Sequence, residues 1–505
     1  MMLKTTRLLI WLILGLCAGF IPSSSSFQAK AWQNRVDEWV LENAQAGKTE
    51  FLIFLSDQAD LSRAASLPTK LEKSRYVFET LSALAAATQK PVLEKLQALG
   101  MEYRPYWVAN MIWASGNLSD VQVIAELPNV AHIYANPEVQ LDEPEKLVET
   151  GSFAPTLGLE WNIHLVNADD VWAAGFTGQG VVIGGADTGY DWTHLALINQ
   201  YRGWDGSAAN HNYNWHDAVH SDISGGGNIL CGFDLKEPCD DRGHGTHTMG
   251  IMVGDDGAGN QIGMAPGARW IGCRNMEEGV GTPETYIECY QWFIAPTDLN
   301  NMNADPSKSP DVINNSWYCP PAEGCTDPNV LLTAVNNVRA AGILTVHSAG
   351  NQGPACSSIQ YAAGMYDASF TVGNTTSYDV IYPSSSRGPV IVDASGRIKP
   401  DISAPGTYIR SSIPGGYATY SGTSMAAPHV AGLAALLISA YPELAGQVER
   451  IENMITYSAI PMTTTDGCGN LPASAVPNNT YGWGRIDAWA ALQLKYWYFF
   501  PGIYR

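Results

Sequence analysis

Residues 420–432 read YSGTSMAAPHVAG, and from Ser424 an apolar helical pattern runs on to Ala440. A serine hydroxyl at a helix start stands over the positive end of the helix dipole, which suits a nucleophile whose reaction generates an oxyanion. Outward from this stretch, short β-rich apolar runs alternate with helical patterns. Val181 to Ala186, Trp270 to Cys273, Val312 to Asn315 and Gly342 to Ser348 read as buried strands, and Ala427 to Ala440 and Val448 to Tyr457 read as helices. Such alternation predicts an α/β domain with a mostly parallel central sheet flanked by helices.

Alone, Ser424 serves equally well as a helix cap. Two further motifs change its meaning. In GADTGYD (185–191), Asp187 follows the apolar strand, at the end where open α/β sheets place their sites. In DDRGHGTHTMG (240–250), His244 lies in a glycine-flanked turn before an apolar helix. Each reads alone as a turn or an interior histidine; three such motifs in one domain point past coincidence to a common site. The chain order Asp, His, Ser and the setting G-T-S-M-A differ from the G-x-S-x-G elbow with its order Ser, Asp, His. Gly178-Gln179-Gly180 precedes its strand instead of following it, so a dinucleotide loop is set aside.

DTG, HGTH and GTSMAAPHVAG, in that order, resemble the three signature motifs of the subtilisin-like serine proteases, the subtilases. The resemblance covers about Trp161 to Leu494 and closes on YGWGRIDAWAAL (481–492). The stretch 161–194 and the loop HNYNWHDAVH (211–220) are most similar to the bacillopeptidase F-like branch. The resemblance implies a subtilisin-like domain in which Ser424 attacks the scissile carbonyl, His244 is base and then acid, and Asp187 holds the imidazole tautomer. Asn351 in SAGNQGP matches the oxyanion asparagine, acting with the Ser424 backbone N–H. Ser316, Trp317 and Tyr318, with Ser348, Ala349 and Gly350, match the substrate-lining segments. Tyr318 stands where glycine is usual, so the pocket for the residue before the scissile bond is altered.

No organic cofactor is implied, and calcium is the one candidate ion. Asp255, Asp256 and Asn260 in GDDGAGNQIG (254–263) offer hard oxygen donors where many subtilases bind calcium, although Gly257 replaces an expected amide ligand. His347 reads as a core histidine. His211, His216 and His220, irregularly spaced among Asp217 and Asp222, read as a solvated loop.

Upstream, the patterning predicts a strand Phe51 to Leu55, a helix Leu61 to Gly100 broken near Pro91 and a strand Tyr103 to Ser115. A helix Ser119 to Leu127 capped by Ser119 and Asp120 follows, then a strand Val130 to Tyr134. This small α+β domain more loosely resembles the family's propeptide, which implies an intramolecular inhibitor released by self-cleavage between about Leu141 and Glu160. The expected division is a signal peptide at 1–29, the propeptide at 32–141 and a linker and processing region at 142–160. The catalytic domain follows at 161–494 and a tail at 495–505.

Composition agrees with this division. The chain has 505 residues, enough for more than one domain, and 46% hydrophobic against 15% charged residues excludes wholesale disorder. A net charge of -21 repels phosphate backbones and anionic lipid, so nucleic acid is not an expected partner. Lys4 and Arg7, the apolar run Leu8 to Ile21 and the small residues Ser23 to Ser26 form a secretory signal, shorter than the roughly 20 apolar residues of a spanning helix. Without Cys17 eight of the nine cysteines remain, an even number for an oxidising compartment, and no C-x-x-C pair suggests zinc. Four disulfides are expected, with Cys231–Cys239 and Cys319–Cys325 the first pairings. The expected molecule is a secreted, monomeric serine endopeptidase. It acts on protein or peptide substrates, is held by its own propeptide, and has no membrane partner once the signal is removed. A silent binding protein on the same fold and an esterase are the alternatives.

Overall fold

The computed structural model describes residues 31–147, 158–227 and 230–494. The expected signal peptide, the expected tail and residues 148–157 of the expected processing region lie outside the described residues.

The upstream unit comprises α1 (Glu38–Ala46), β1 (Thr49–Leu55), α2 (Lys70–Thr88), α3 (Lys90–Leu99), β2 (Glu102–Tyr106), β3 (Met111–Gly116), α4 (Leu118–Ala125) and β4 (Val130–Ala135). Its sheet is antiparallel in the order β2-β3-β1-β4. The helical stretch divides at Gln89, so Pro91 falls in the first turn of α3, where its missing N–H costs nothing. Tyr103 to Ser115 is two strands, not one. Residues 107–110 reverse the chain, with Asn110 at φ +47° and its amide donating to Asp57 O at 2.8 Å. The cap of α4 is Asn117, whose side chain accepts from the Ser119 and Asp120 backbone N–H groups; Ser119 lies within the first turn.

The chain continues through β5 (Val139–Gln140), β6 (Glu145–Leu147), α5 (Trp161–Leu165), α6 (Ala168–Ala173), β7 (Val182–Asp187) and β8 (Trp215–Asp217). Then come α7 (His244–Val253), β9 (Arg269–Arg274), β10 (Val280–Gly281), α8 (Pro283–Ile294), β11 (Val312–Asn315), α9 (Leu332–Ala340), β12 (Leu344–Ser348) and β13 (Phe370–Thr375). The last elements are β14 (Ile402–Pro405), β15 (Ile409–Ile413), β16 (Gly416–Ser421), α10 (Thr423–Ala440), α11 (Val448–Tyr457) and α12 (Ala488–Gln493). Seven of these strands form one parallel sheet in the order β14-β13-β12-β11-β7-β9-β8. Sheets covered on both faces need strands apolar on both sides, which is why these strands read as continuous runs and not as alternation. On one face α7 and α10 share a core with Ile183, Val312, Val346 and Val372; on the other α8 and α9 pack against Ile271 and Ile313. The fold is therefore the α/β class expected.

The eight described cysteines pair as Cys231–Cys239, Cys273–Cys289, Cys319–Cys325 and Cys356–Cys468. The first and third are the pairings expected; the second ties β9 to α8. The upstream sheet lies against α8 and α9. Gln291 accepts from the Trp107 and Val108 N–H groups at 2.6 and 3.2 Å, Asn337 donates to Val108 O at 2.6 Å, and Asn136 accepts from the Glu284 N–H at 2.8 Å.

Candidate active site

Asp187 ends β7, His244 begins α7 and Ser424 is the second residue of α10. The topology thus brings three residues distant in sequence to the carboxyl edge of the sheet, as expected for open α/β folds. His244 Nδ1 lies 2.7 Å from Asp187 Oδ1, and both side chains are buried. Asp187 is fixed by the Thr188 N–H at 2.8 Å and the Thr248 hydroxyl at 3.3 Å. Burial alone would lower the basicity of His244, but the Asp187 charge and hydrogen bond outweigh it and raise its pKa above the ordinary 6.5. His244 Nε2 is buried with no hydrogen-bond partner, while Ser424 Oγ donates to Ser316 O at 3.3 Å. An imidazole nitrogen without a partner and a serine hydroxyl, both at the carboxyl edge of the sheet, are the groups from which a base and its nucleophile can be made.

Sequence reasoning missed Asp240, which organises the approach to His244. Its carboxylate accepts from the Gly243 N–H at 2.8 Å, the Arg242 and Thr246 N–H groups at 3.0 Å and the Thr188 hydroxyl at 2.9 Å. Gly189 runs close beneath. At φ +109°, a Cβ there would sit 1.8 Å from Cys239 O, so only glycine fits. Asp240 falls inside DDRGHGTH, but nothing in its spacing distinguishes it from Asp241.

Asn351 follows β12, and its oxygen accepts from the Thr423 N–H at 2.9 Å and the Thr423 hydroxyl at 3.0 Å. Its amide nitrogen is thereby turned into the cleft beside the start of α10. Ser316 donates to Ser424 O at 3.0 Å and Trp317 Nε1 to Ala186 O at 3.1 Å, tying this segment to the start of α10 and to the end of β7. Ala349 N donates to Val372 O at 3.0 Å and Gly350 accepts from the Ser386 N–H at 2.9 Å, so Ser348 to Gly350 form a second fixed segment. Tyr318 stacks on Tyr361 with ring centroids 5.1 Å apart. His347 lies in the core, where burial lowers its pKa to about 3.

The chain's own residues 139–147 cross this cleft. β5 pairs antiparallel with β10, Val139 opposite Gly281, and Leu141 N donates to Gly279 O at 2.7 Å. β6 pairs antiparallel with β16, the strand that leads into Ser424. Between them, Asp142 Oδ2 accepts from Asn351 Nδ2 at 2.9 Å and from Gln352 Nε2 at 3.1 Å. Glu143 pairs with Arg242 and with Lys146 at 2.8 Å, and the Pro144 Cβ lies beside Gly422.

Residues 178–484 match the model of the subtilase family. The chain belongs to that family. Bacillopeptidase F of Bacillus subtilis (strain 168) is 34% identical over 92% of this chain and 33% of its own length, so the chain spans about a third of that relative. Subtilisin E of the same organism is 27% identical over 84% of this chain and 96% of its own length. Serine protease AprX, also from that strain, is 30% identical over 64% of this chain and 68% of its own length. Subtilases are serine peptidases, a class of hydrolases, and the parallel sheet described above is their fold.

Elsewhere in the subtilase domain the polar clusters differ from expectation. Asp255 and Asp256 accept from the backbone of their own loop, at Gly257, Ala258 and Asn260, and Asn260 Oδ1 accepts from Arg410 Nη1 at 2.9 Å. A guanidinium against one of three proposed donors is the wrong neighbour for a divalent cation, so these residues do not fit calcium in this arrangement. His216 and His220 do not lie in a solvated loop. His216 Nε2 is 2.7 Å and His220 Nε2 3.0 Å from the Glu288 carboxylate of α8, and His216 stacks on Trp292. The residue that captured them, Glu288, is 68 positions beyond His220, and no local signal pointed to it.

Proposed function

We propose that this subtilase is a secreted serine endopeptidase made as a self-processing zymogen, with residues 32–141 as its inhibitor and 161–494 as its catalytic domain. The observation that carries the reading is the joining of Asp187, His244, Ser424 and Asn351 in one cleft that a segment of the same chain occupies. Ser424 attacks the scissile carbonyl as His244 takes its proton, and Asp187 holds the tautomer and stabilises the imidazolium. The Asn351 amide and the Ser424 N–H receive the oxyanion. His244 then protonates the departing amine, and water releases the acyl group. Four disulfides, and a sequence pattern at residues 1–29 like that of a secretory signal, support export.

Inhibition has a physical basis at α8. Arg104 of β2 pairs with Glu284 at 2.8 Å, and the Tyr106 hydroxyl bridges the Glu284 and Glu288 carboxyls, 2.7 Å from the latter. Lys70 of α2 pairs with Asp311 at 3.0 Å and Lys73 donates to Gly446 O at 2.7 Å. The upstream unit therefore docks through charged groups as well as its apolar face. The test compares intact mass and N-terminal sequence of secreted wild type and Ser424→Ala. Wild type loses the upstream unit and hydrolyses peptides, while the variant stays whole with turnover down by about 10⁴- to 10⁶-fold. A wild type that remains whole and leaves every peptide uncut overturns the proposal.

A further inference from the structure

The segment in the cleft carries information about what the cleft selects. Leu141 is held by the ladder to Gly279, and the next residue, Asp142, sits with its carboxylate on Asn351, the oxyanion donor. Beyond it, Glu143 lies on the histidine side, paired with Arg242, two residues before His244. The carbonyl that is attacked must face the oxyanion donor and the leaving nitrogen must face the histidine, so the only peptide bond between these positions is that joining Asp142 to Glu143. The next bond is a Glu-Pro linkage, whose nitrogen bears no hydrogen.

The Asp142 side chain meets a set of neutral donors. Gln352 Nε2 donates to Oδ2 at 3.1 Å and also to the Tyr318 hydroxyl, which this shared donor places next to the Asp142 carboxylate. Burial first, and then the Asp142 charge, raises the pKa of that hydroxyl, so it remains a donor. Asn351 spends one amide N–H on the carboxylate and has a second for the carbonyl oxygen. Tyr318 replaces a glycine of the family pattern, and a wall without that side chain offers no hydroxyl here.

We propose that Asp142–Glu143 is the self-cleavage bond, and that Tyr318 and Gln352 make this protease select an acidic side chain on the residue that contributes the scissile carbonyl. The inference rests on the endopeptidase reading above. In the reaction a bond forms between Ser424 Oγ and the Asp142 carbonyl carbon, the bond to the Glu143 nitrogen breaks, and the Oγ proton passes through His244 to that nitrogen. Water then adds to the ester, regenerating Ser424 and leaving a carboxylic acid at Asp142.

The test has two parts. Mass and N-terminal sequence of the processed full chain should place the new terminus at Glu143, and Asp142→Leu should slow processing at least about 10-fold while Asp142→Glu preserves it. Processed enzyme is then given the peptides Val-Gln-Leu-X-Glu-Pro-Glu-Lys with X as Asp, Glu, Asn or Leu. The acidic members should exceed the neutral ones by about 10- to 100-fold in kcat/KM, the worth of hydrogen bonds to a charged group. Tyr318→Phe and Gln352→Leu should each shrink that ratio, and two independent variants guard against one that misfolds. A terminus elsewhere, or a Leu peptide cut as fast as the Asp peptide, overturns the proposal. If casein is still hydrolysed and a fluorophosphonate still labels Ser424, the pocket assignment fails alone; if neither occurs, it falls together with the endopeptidase reading.

Discussion

Thr423 grips the oxygen of Asn351 through its backbone N–H and its hydroxyl, and the hydroxyl also accepts from the Gly350 N–H at 3.2 Å. Thr423 therefore fixes both the direction of the Asn351 amide and the segment beside it. Thr423→Val removes the hydroxyl at nearly constant volume. Its expected effect is a fall in kcat of about 10-fold with little change in KM, and Thr423→Ser should restore most of it. The base can be read through pH. Against the lowering effect of burial, His244 is raised by Asp187 and also by the charge of Glu143. Self-cleavage needs neutral His244, so its rate should climb as pH rises through a midpoint above 6.5. Glu143→Gln should move that midpoint down, and rates of first cleavage measured across pH would show whether it does.

At the scale of elements, α8 carries the load between the two halves of the molecule. Arg104→Ala leaves Glu284 buried with Tyr106 and without its cation, at a cost of about 1–3 kcal/mol. In the uncleaved Ser424→Ala chain this should appear as faster amide hydrogen exchange in β2 and β3, with α10 unaffected. The same helix marks the limit of what the sequence discloses. The strands 182–187, 269–274, 312–315 and 344–348 and the helix at 423–440 were legible because buried parallel strands and a core helix are written as local apolar runs. The meeting of Asp187 and His244 was legible because each sits in its own short motif. The β2–β3 hairpin was not, since Trp107 and Val108 continue the apolar pattern through the turn that Asn110 makes. The bonds of Glu288 to His216 and His220, and of Gln352 to Asp142, were hidden because each joins segments that only the finished fold makes neighbours.

For the whole molecule, the cluster on α8 makes stability depend on pH. Burial works against a charged His220, but the hydrogen bond and charge of Glu288, with the Asp234 hydrogen bond, raise its pKa to about 9. A group raised in the folded state contributes in full below its ordinary 6.5 and loses that contribution as the pH climbs through 9. Burial also raises Glu284, and the sign is the same: its contribution is lost as the pH rises through its folded pKa. Thermal unfolding of Ser424→Ala should therefore show Tm falling between pH 6.5 and 9.5, and His220→Gln should flatten that slope. An unchanged slope would remove the cluster from the account. The two ladders that hold residues 139–147 across the cleft, β5 on β10 and β6 on β16, set how activation scales. A first substrate delivered by the chain itself meets Ser424 at a local concentration fixed by the fold, of order millimolar or above. On the self-processing reading, activation is then first order in protein, with a half-time that does not lengthen on dilution, so a chain spread thin is processed as fast as a concentrated one.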